Sequence, residues 1–229
     1  MIGSTPVRMA ITAGMDVVLS NSRGPDTLAE LVAELGDHAR AGTPAQAANP
    51  MHAYDKPPVT ELAGKTVIDT LNYYPDRDGR IAALDANTLT SSELVQRHLA
   101  DSHVVKAFNN IDFRRLVLLP RPAGSVDRSA LPIAGNDAAA KEQVTHLLDV
   151  FGYDAVDVGT LADSWRTEPN NPVYVQPYMP QLPDGLTMDE AGPWFFESPG
   201  VPLTASRVTE LVGVAVRGPA GTTPPFLQS

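Results

Sequence analysis

Apolar positions in the first two-thirds of the chain alternate between short β-branched runs and stretches spaced three to four residues apart. The first spacing fits buried strands and the second fits helices packed by one face. Strands are expected at 17–20 (VVLS), 65–70 (KTVIDT), 103–108 (HVVKAF), 130–134 (ALPIA) and 154–158 (DAVDV). A helix is expected over 26–35, with Asp26 as cap, Leu28, Leu31, Val32 and Leu35 on one face and Gly36 as stop. Another is expected over 91–99, with Leu94, Val95, His98 and Leu99 inward. A third follows Asp137, carries Val144, Leu147, Leu148 and Phe151 as its stripe, and stops at Gly152. Strands separated by helices predict an α/β fold with a parallel sheet.

From Thr167 onward the pattern changes. This stretch of 63 residues holds 11 prolines and reads as extended and loop-rich. One helical stretch is expected near 204–216, although 212–216 (VGVAV) also has strand composition. The cluster Trp194, Phe195 and Phe196 is expected to dock the extension on the α/β domain, in preference to a dimer contact. The division expected is therefore an α/β domain over 1–166 and a Pro-rich C-terminal extension over 167–229.

Composition narrows the function. With 17 Lys and Arg against 27 Asp and Glu, the net charge is -10, which disfavours nucleic acid or an anionic membrane as partner. No cysteine is present, so disulfides, thiolate metal sites and a cysteine nucleophile are excluded. No signal-peptide pattern and no long apolar run occurs, and a cytoplasmic location is expected. The five histidines have no metal-ligand spacing with carboxylates. His98 and His146 read as helix-face residues, and no nucleophile elbow or Walker loop is found.

The segment 17–25 (VVLSNSRGP) is more informative. In dinucleotide-binding folds the end of the second strand meets the adenosine ribose, where an acid selects NAD. Here Asn21, Ser22 and Arg23 stand at that place and no acid precedes Asp26. A guanidinium can stack on adenine and pair with a 2′-phosphate, so the segment favours NADP. Upstream, Gly3 matches the third glycine of the fingerprint. The first strand and the first two glycines have no counterpart in the sequence. A helix over about 5–13 would still offer its N-terminal amides to a pyrophosphate.

Gly3-Ser4-Thr5, 17–25, 63–79 (AGKTVIDTLNYYPDRDG), TSSELVQRHL, 104–111 (VVKAFNNI), 131–137 (LPIAGND) and 154–166 (DAVDVGTLADSWR) together resemble the NADPH-dependent coenzyme F420 reductases. The ordered match covers about residues 2 to 166. It implies a Rossmann domain that binds NADP, a small C-terminal part, a homodimer, and hydride transfer between NADP(H) and a 5-deazaflavin. It places Ser22 and Arg23, with Asn21, at the 2′-phosphate, and Gly3 and Ser4 near the pyrophosphate. Asn109 and Ile111 would sit near the nicotinamide and the deazaflavin. His52 and Tyr54 match a Pro-x-x-Ala-Tyr-like loop of the family, and Tyr73, Tyr74 and Arg77 would line the cofactor cleft. Such a transfer rests on stacking and water exclusion, so no catalytic acid or base is assigned.

The chain departs from the family at two places. Besides the first strand, the strand expected before Pro50 is lacking. Both would lie at the centre of the sheet. Their loss would leave two groups of strands with exposed edges, a Rossmann-like sheet truncated or rearranged at its centre. Three explanations stand open: Met1 is internal to a longer frame, the chain is a repurposed relative, or the C-terminal extension supplies strands in altered form. The alternative to an oxidoreductase is therefore a non-redox scaffold that binds a small molecule or a partner.

Overall fold

The computed structural model describes residues 4–19, 25–41, 59–183, 185 and 187–221. Helix α1 (Ser4–Thr12) leads to β1 (Val17–Leu19), and α2 (Ala29–Leu35) connects β1 to β2 (Ala39–Ala41). The two strands pair in parallel, Val17 opposite Ala39 and Leu19 opposite Ala41. Asp26 does not cap α2. It lies inside a 3-10 turn, Pro25–Leu28, that precedes the helix. None of the residues of α2 is buried, because a two-stranded sheet offers too little surface to cover a helix face.

The second sheet has the order β3-β4-β5-β6, with β3 (Thr66–Asp69), β4 (His103–Lys106), β5 (Ala130–Gly135) and β6 (Asp154–Asp157). Short helices α3 (Val59–Leu62), α4 (Pro75–Asp78) and α5 (Ala82–Asp85) flank β3. Helix α6 (Ser91–His98) links β3 to β4 as a parallel pair, and α8 (Ala138–Val150) does the same for β5 and β6. Contrary to an all-parallel expectation, β4 and β5 run antiparallel, Val105 opposite Gly135 and Lys106 opposite Ala134. The link between them holds only the four-residue α7 (Arg115–Leu118). A parallel crossover ordinarily needs a full helix to span the sheet.

Local chemistry fixes the helix ends. Thr90 and Glu93 form a capping box at α6: Glu93 N donates to Thr90 Oγ1 at 3.2 Å and Thr90 N to Glu93 Oε2 at 2.7 Å. Asp137 accepts from Ala140 N at 2.7 Å to start α8. That helix ends at Gly152, whose φ of +86° only glycine adopts readily.

The main core gathers Val105, Leu131, Ile133, Val144 and Leu148 with Val208, Leu211 and Val212. The last three belong to α10 (Ala205–Gly213), so residues beyond 167 share the core of the α/β part. Residues 212–216 complete and follow α10 and form no strand. Each fully buried aliphatic side chain here contributes about 1.5–3 kcal/mol. Helix α9 (Met188–Glu197) brings Phe195 and Phe196 to Phe113, with ring centroids 6.1 and 6.2 Å apart. The guanidinium of the fully buried Arg115 lies 4.7 Å from the Phe195 ring and donates to Phe195 O at 2.8 Å. The aromatic cluster thus docks on the chain's own loop after β4.

The two sheets are separate among the described residues. Among the described residues β1 and β3 do not pair, and the strands form one two-stranded and one four-stranded sheet.

Candidate functional site

In open α/β folds ligands collect outside the carboxyl ends of the strands. Here β3 ends on Asp69 and β4 on Lys106, two charges at the ends of otherwise apolar runs. Lys106 is fully buried. Its Nζ donates to Asp69 Oδ2 at 3.2 Å, to Ser91 Oγ at 3.1 Å and to Leu71 O. Asp69 also accepts from Ser92 Oγ at 2.6 Å and from Leu71 N at 2.9 Å. Ser91 Oγ passes the network on to Glu168 Oε1 at 2.6 Å. One buried ammonium therefore ties together two strand ends, the start of α6 and the turn after β6. Such a network is tolerable in a low-dielectric interior only because its groups are paired.

Beyond it, the loops after β3 and β4 lock through two amides. Asn72 Nδ2 donates to Asn109 O at 2.8 Å. Asn109 Nδ2 donates to Asn72 Oδ1 at 3.1 Å and to Thr167 O at 2.8 Å. Asn110 Nδ2 donates to Val173 O at 3.2 Å and Tyr178 Oη at 3.0 Å. The backbone around these amides is strained. Phe108 (φ +62°), Asn170 (+70°) and Val175 (+52°) occupy the left-handed region, a genuine outlier for a β-branched valine. Val175 is held there by donating its N–H to Asn110 O at 2.8 Å.

The phenols of Tyr74 and Tyr174 share a hydrogen bond of 2.5 Å, and the Arg77 guanidinium sits 4.9 Å from the centre of the Tyr74 ring. Burial pushes the Tyr174 phenol far up, with Tyr74 adding to the shift. Burial raises Tyr74 too, against the opposing hydrogen bond from Tyr174 and the charge of Arg77. Both are neutral hydrogen-bonding groups at any physiological pH.

Of the residues expected at the site, Ser4 opens α1. Asn109 is 5% exposed and engaged on all sides of its amide, and Ile111 belongs to the main core. Tyr73 is buried, its hydroxyl donating to Asp85 Oδ1 at 2.8 Å and accepting from Ile81 N at 3.0 Å. Tyr74 and Arg77 keep more exposure. Gly3, Asn21, Ser22, Arg23, His52 and Tyr54 lie outside the described residues. The structure adds Asp69, Lys106, Ser91 and Glu168. For the first two the sequence signal was a charge within a strand pattern, since a buried charge requires a partner. Among the described residues no group of three His, Asp or Glu side chains is placed to hold a metal, and no helix is long and apolar enough to cross a membrane.

No family model matches the chain. YjhV of Escherichia coli K12 is 38% identical over 64 residues, 28% of this chain. The aligned stretch spans 43% of that curated relative, less than half its length. Protein SMa0349 of Sinorhizobium meliloti has a similar solved structure, with a TM-score of 0.60 at 27% identity, covering 76% of this chain and 88% of that one. A second solved structure, a "putative F420 dependent NADP-reductase" from Arthrobacter sp. FB24, matches with a TM-score of 0.55 at 26% identity, covering 70% of this chain and 83% of that one. The resemblance carried by the ordered sequence segments and the likeness of fold coincide: the chain is similar to the F420-dependent NADP reductases and has their Rossmann-like α/β fold, its described strands forming two separate sheets.

Proposed function

We propose that the protein binds NADP(H) and transfers a hydride between it and a 5-deazaflavin or similar acceptor. The reading is carried by one coincidence. The segments that resemble the reductase family occur in order along a chain whose fold neighbour from Arthrobacter is named for that activity. The residues present are compatible with the dinucleotide. Helix α1 carries no carboxylate in its first turn, so nothing there opposes a pyrophosphate at its amide end. In the sequence, Ser22 and Arg23 come after Leu19, the last residue of β1, with Ser20 and Asn21 between; the end of the second strand is where dinucleotide-binding folds meet the adenosine ribose, which supports the reading.

When bound, the nicotinamide supplies the hydride chemistry. The chain's own part is to position and to exclude water. The Asn72–Asn109–Thr167 amide network fixes the loops beyond β3 and β4. Asp69 and Lys106 fix the strand ends beneath them. No side chain is required to move a proton, and none is assigned that task.

The test is calorimetric titration with NADPH, with NADH as control, in the wild type and in Arg23→Ala. The expected result is NADPH binding tighter than NADH, with the preference lost in Arg23→Ala, followed by NADPH-dependent reduction of F420. Binding of neither nucleotide by folded protein overturns the reading. The divided sheet favours one second reading, a scaffold without redox activity. That outcome would support it.

A further inference from the structure

Tyr73, Leu84 and Leu89 form a small hydrophobic cluster of their own, apart from the main core. They belong to a lobe, residues 72–89, that follows β3 and carries α4 and α5. The lobe is poorly equipped to close by itself. Its helices have four residues each, well below the roughly 12–15 at which an isolated helix becomes stable in water. Helix α4 buries no residue, and α5 buries Leu84 alone. The remaining wall comes from the C-terminal stretch. Ala220 packs on the cluster. Arg217 Nη2 donates to Leu89 O at 3.0 Å, and Asn87 Nδ2 to Gly218 O at 2.9 Å. Gly221, at a φ of +69°, leaves no room for a side chain: a Cβ would stand 2.8 Å from Tyr73 O and would also press on Pro75, the first residue of α4.

This stretch, 216–221, is lightly held. Val216 is 83% exposed, and Gly218 and Pro219 are exposed as well. A cavity of about 100 Å³ lies between the stretch, the entry to α6 and the turn after β6. Atoms beside a void lack the packing contacts that would hold them. A segment with few buried apolar contacts undocks at lower free energy than the core it rests on.

The lobe closes on the region beyond the carboxyl ends of β3 and β4. Contacts there run in a ring, from Asn72 to Asn109, from Asn110 to Val173, and from Tyr174 back to Tyr74. Tyr74, which precedes α4, is the lobe's end of the last contact, and Tyr174 is 9% exposed beneath it. We propose that residues 216–221 are a strap that governs access to these strand ends. Docked, the strap seats the lobe so that the Tyr74 phenol meets Tyr174 and the ring is complete. Undocked, it lets the lobe swing away and the ring parts at that phenol pair. The ends of β3 and β4 are where an open α/β fold collects its ligand. The inference concerns access alone and its test uses no nucleotide, so it stands or falls apart from the hydride-transfer reading.

Two glycines of the strap make a matched pair for the test. A Cβ at Gly218 meets open space, whereas one at Gly221 collides with Tyr73. Hydrogen exchange of the full chain, read by mass spectrometry, should show the amides of residues 73–89 exchanging about tenfold faster or more in Gly221→Ala, with β5 and α8 unchanged. Gly218→Ala should match the wild type. Acylation of the phenols by N-acetylimidazole reads access directly: Tyr174 should react severalfold faster in Gly221→Ala, while Tyr153, fully buried in the main core, keeps its rate. Unchanged exchange in the lobe overturns the proposal, as does an unchanged rate at Tyr174. Equal acceleration in β5 and α8 also overturns it, because the lobe then opens only with the whole fold. If Gly221→Ala fails to fold, Ala220→Asp, which sets a charge against the Tyr73 cluster, is read by the same two measurements.

Discussion

Replacing Lys106 with methionine removes the single cation from the network between β3 and β4 while nearly conserving volume. The Nζ-to-Asp69 distance is 3.2 Å, with side-chain exposures of 0% and 1%. At an effective dielectric of about 20 the attraction is of order 5 kcal/mol. Breaking one side of a buried pair costs about 3–5 kcal/mol, because the other charge stays behind without compensation. Ser92 and Leu71 still donate to Asp69 in the variant, which holds the expectation to that range. For a chain of this size the loss corresponds to a fall in Tm of roughly 6–20 °C. Urea unfolding at pH 7 followed by circular dichroism measures it. Asp69→Asn combined with Lys106→Met removes the stranded charge, and the double variant should be more stable than Lys106→Met alone. A loss below about 1 kcal/mol in Lys106→Met, or a double variant no more stable than that single one, would refute the claim that this pair pins the strand ends.

Other consequences are more local. Gly152→Ala should lose about 1–3 kcal/mol by urea unfolding, because the backbone there is left-handed and a Cβ would stand 2.9 Å from Pro120 Cβ. Thr90→Ala should lose about 1–2 kcal/mol in the same assay, since the hydroxyl both accepts from Glu93 N and donates to Leu161 O at 2.8 Å. Burial raises the phenols of Tyr153, Tyr174 and Tyr178 above their ordinary value of 10.0. The stability they contribute is fully present below about pH 10 and is lost as pH rises through the raised folded values. Ultraviolet titration should therefore show them ionising together with alkaline unfolding, and a set of phenols titrating near pH 10 in folded protein would contradict their burial. The homodimer that the family resemblance implies predicts a light-scattering mass of about twice 24.4 kDa, and a monomer mass would exclude it.

The strands at 66–69, 103–106, 130–135 and 154–157 were legible because β-branched runs between turn residues have few other stable outcomes. The caps at Thr90 and Asp137 and the stop at Gly152 follow from side-chain and backbone chemistry that acts within a few residues. β2 was not legible. Its three residues, Ala39–Ala41, carry no apolar run and are extended only because β1 lies beside them. The antiparallel junction of β4 and β5 was hidden too, since strand direction depends on how a connection packs and not on the strands it joins. The same holds for the polar clusters. The sequence supplied a lysine after two valines and an aspartate after an isoleucine. Only the pairing of β3 with β4 placed them 3.2 Å apart, and only the chain's return after β6 brought Glu168 to Ser91 and Arg217 to the cavity beside it. Local propensity fixes elements because its interactions span a few residues. Sites are built from groups as many as 100 positions apart, such as Tyr74 and Tyr174, and their juxtaposition exists only once the core has closed.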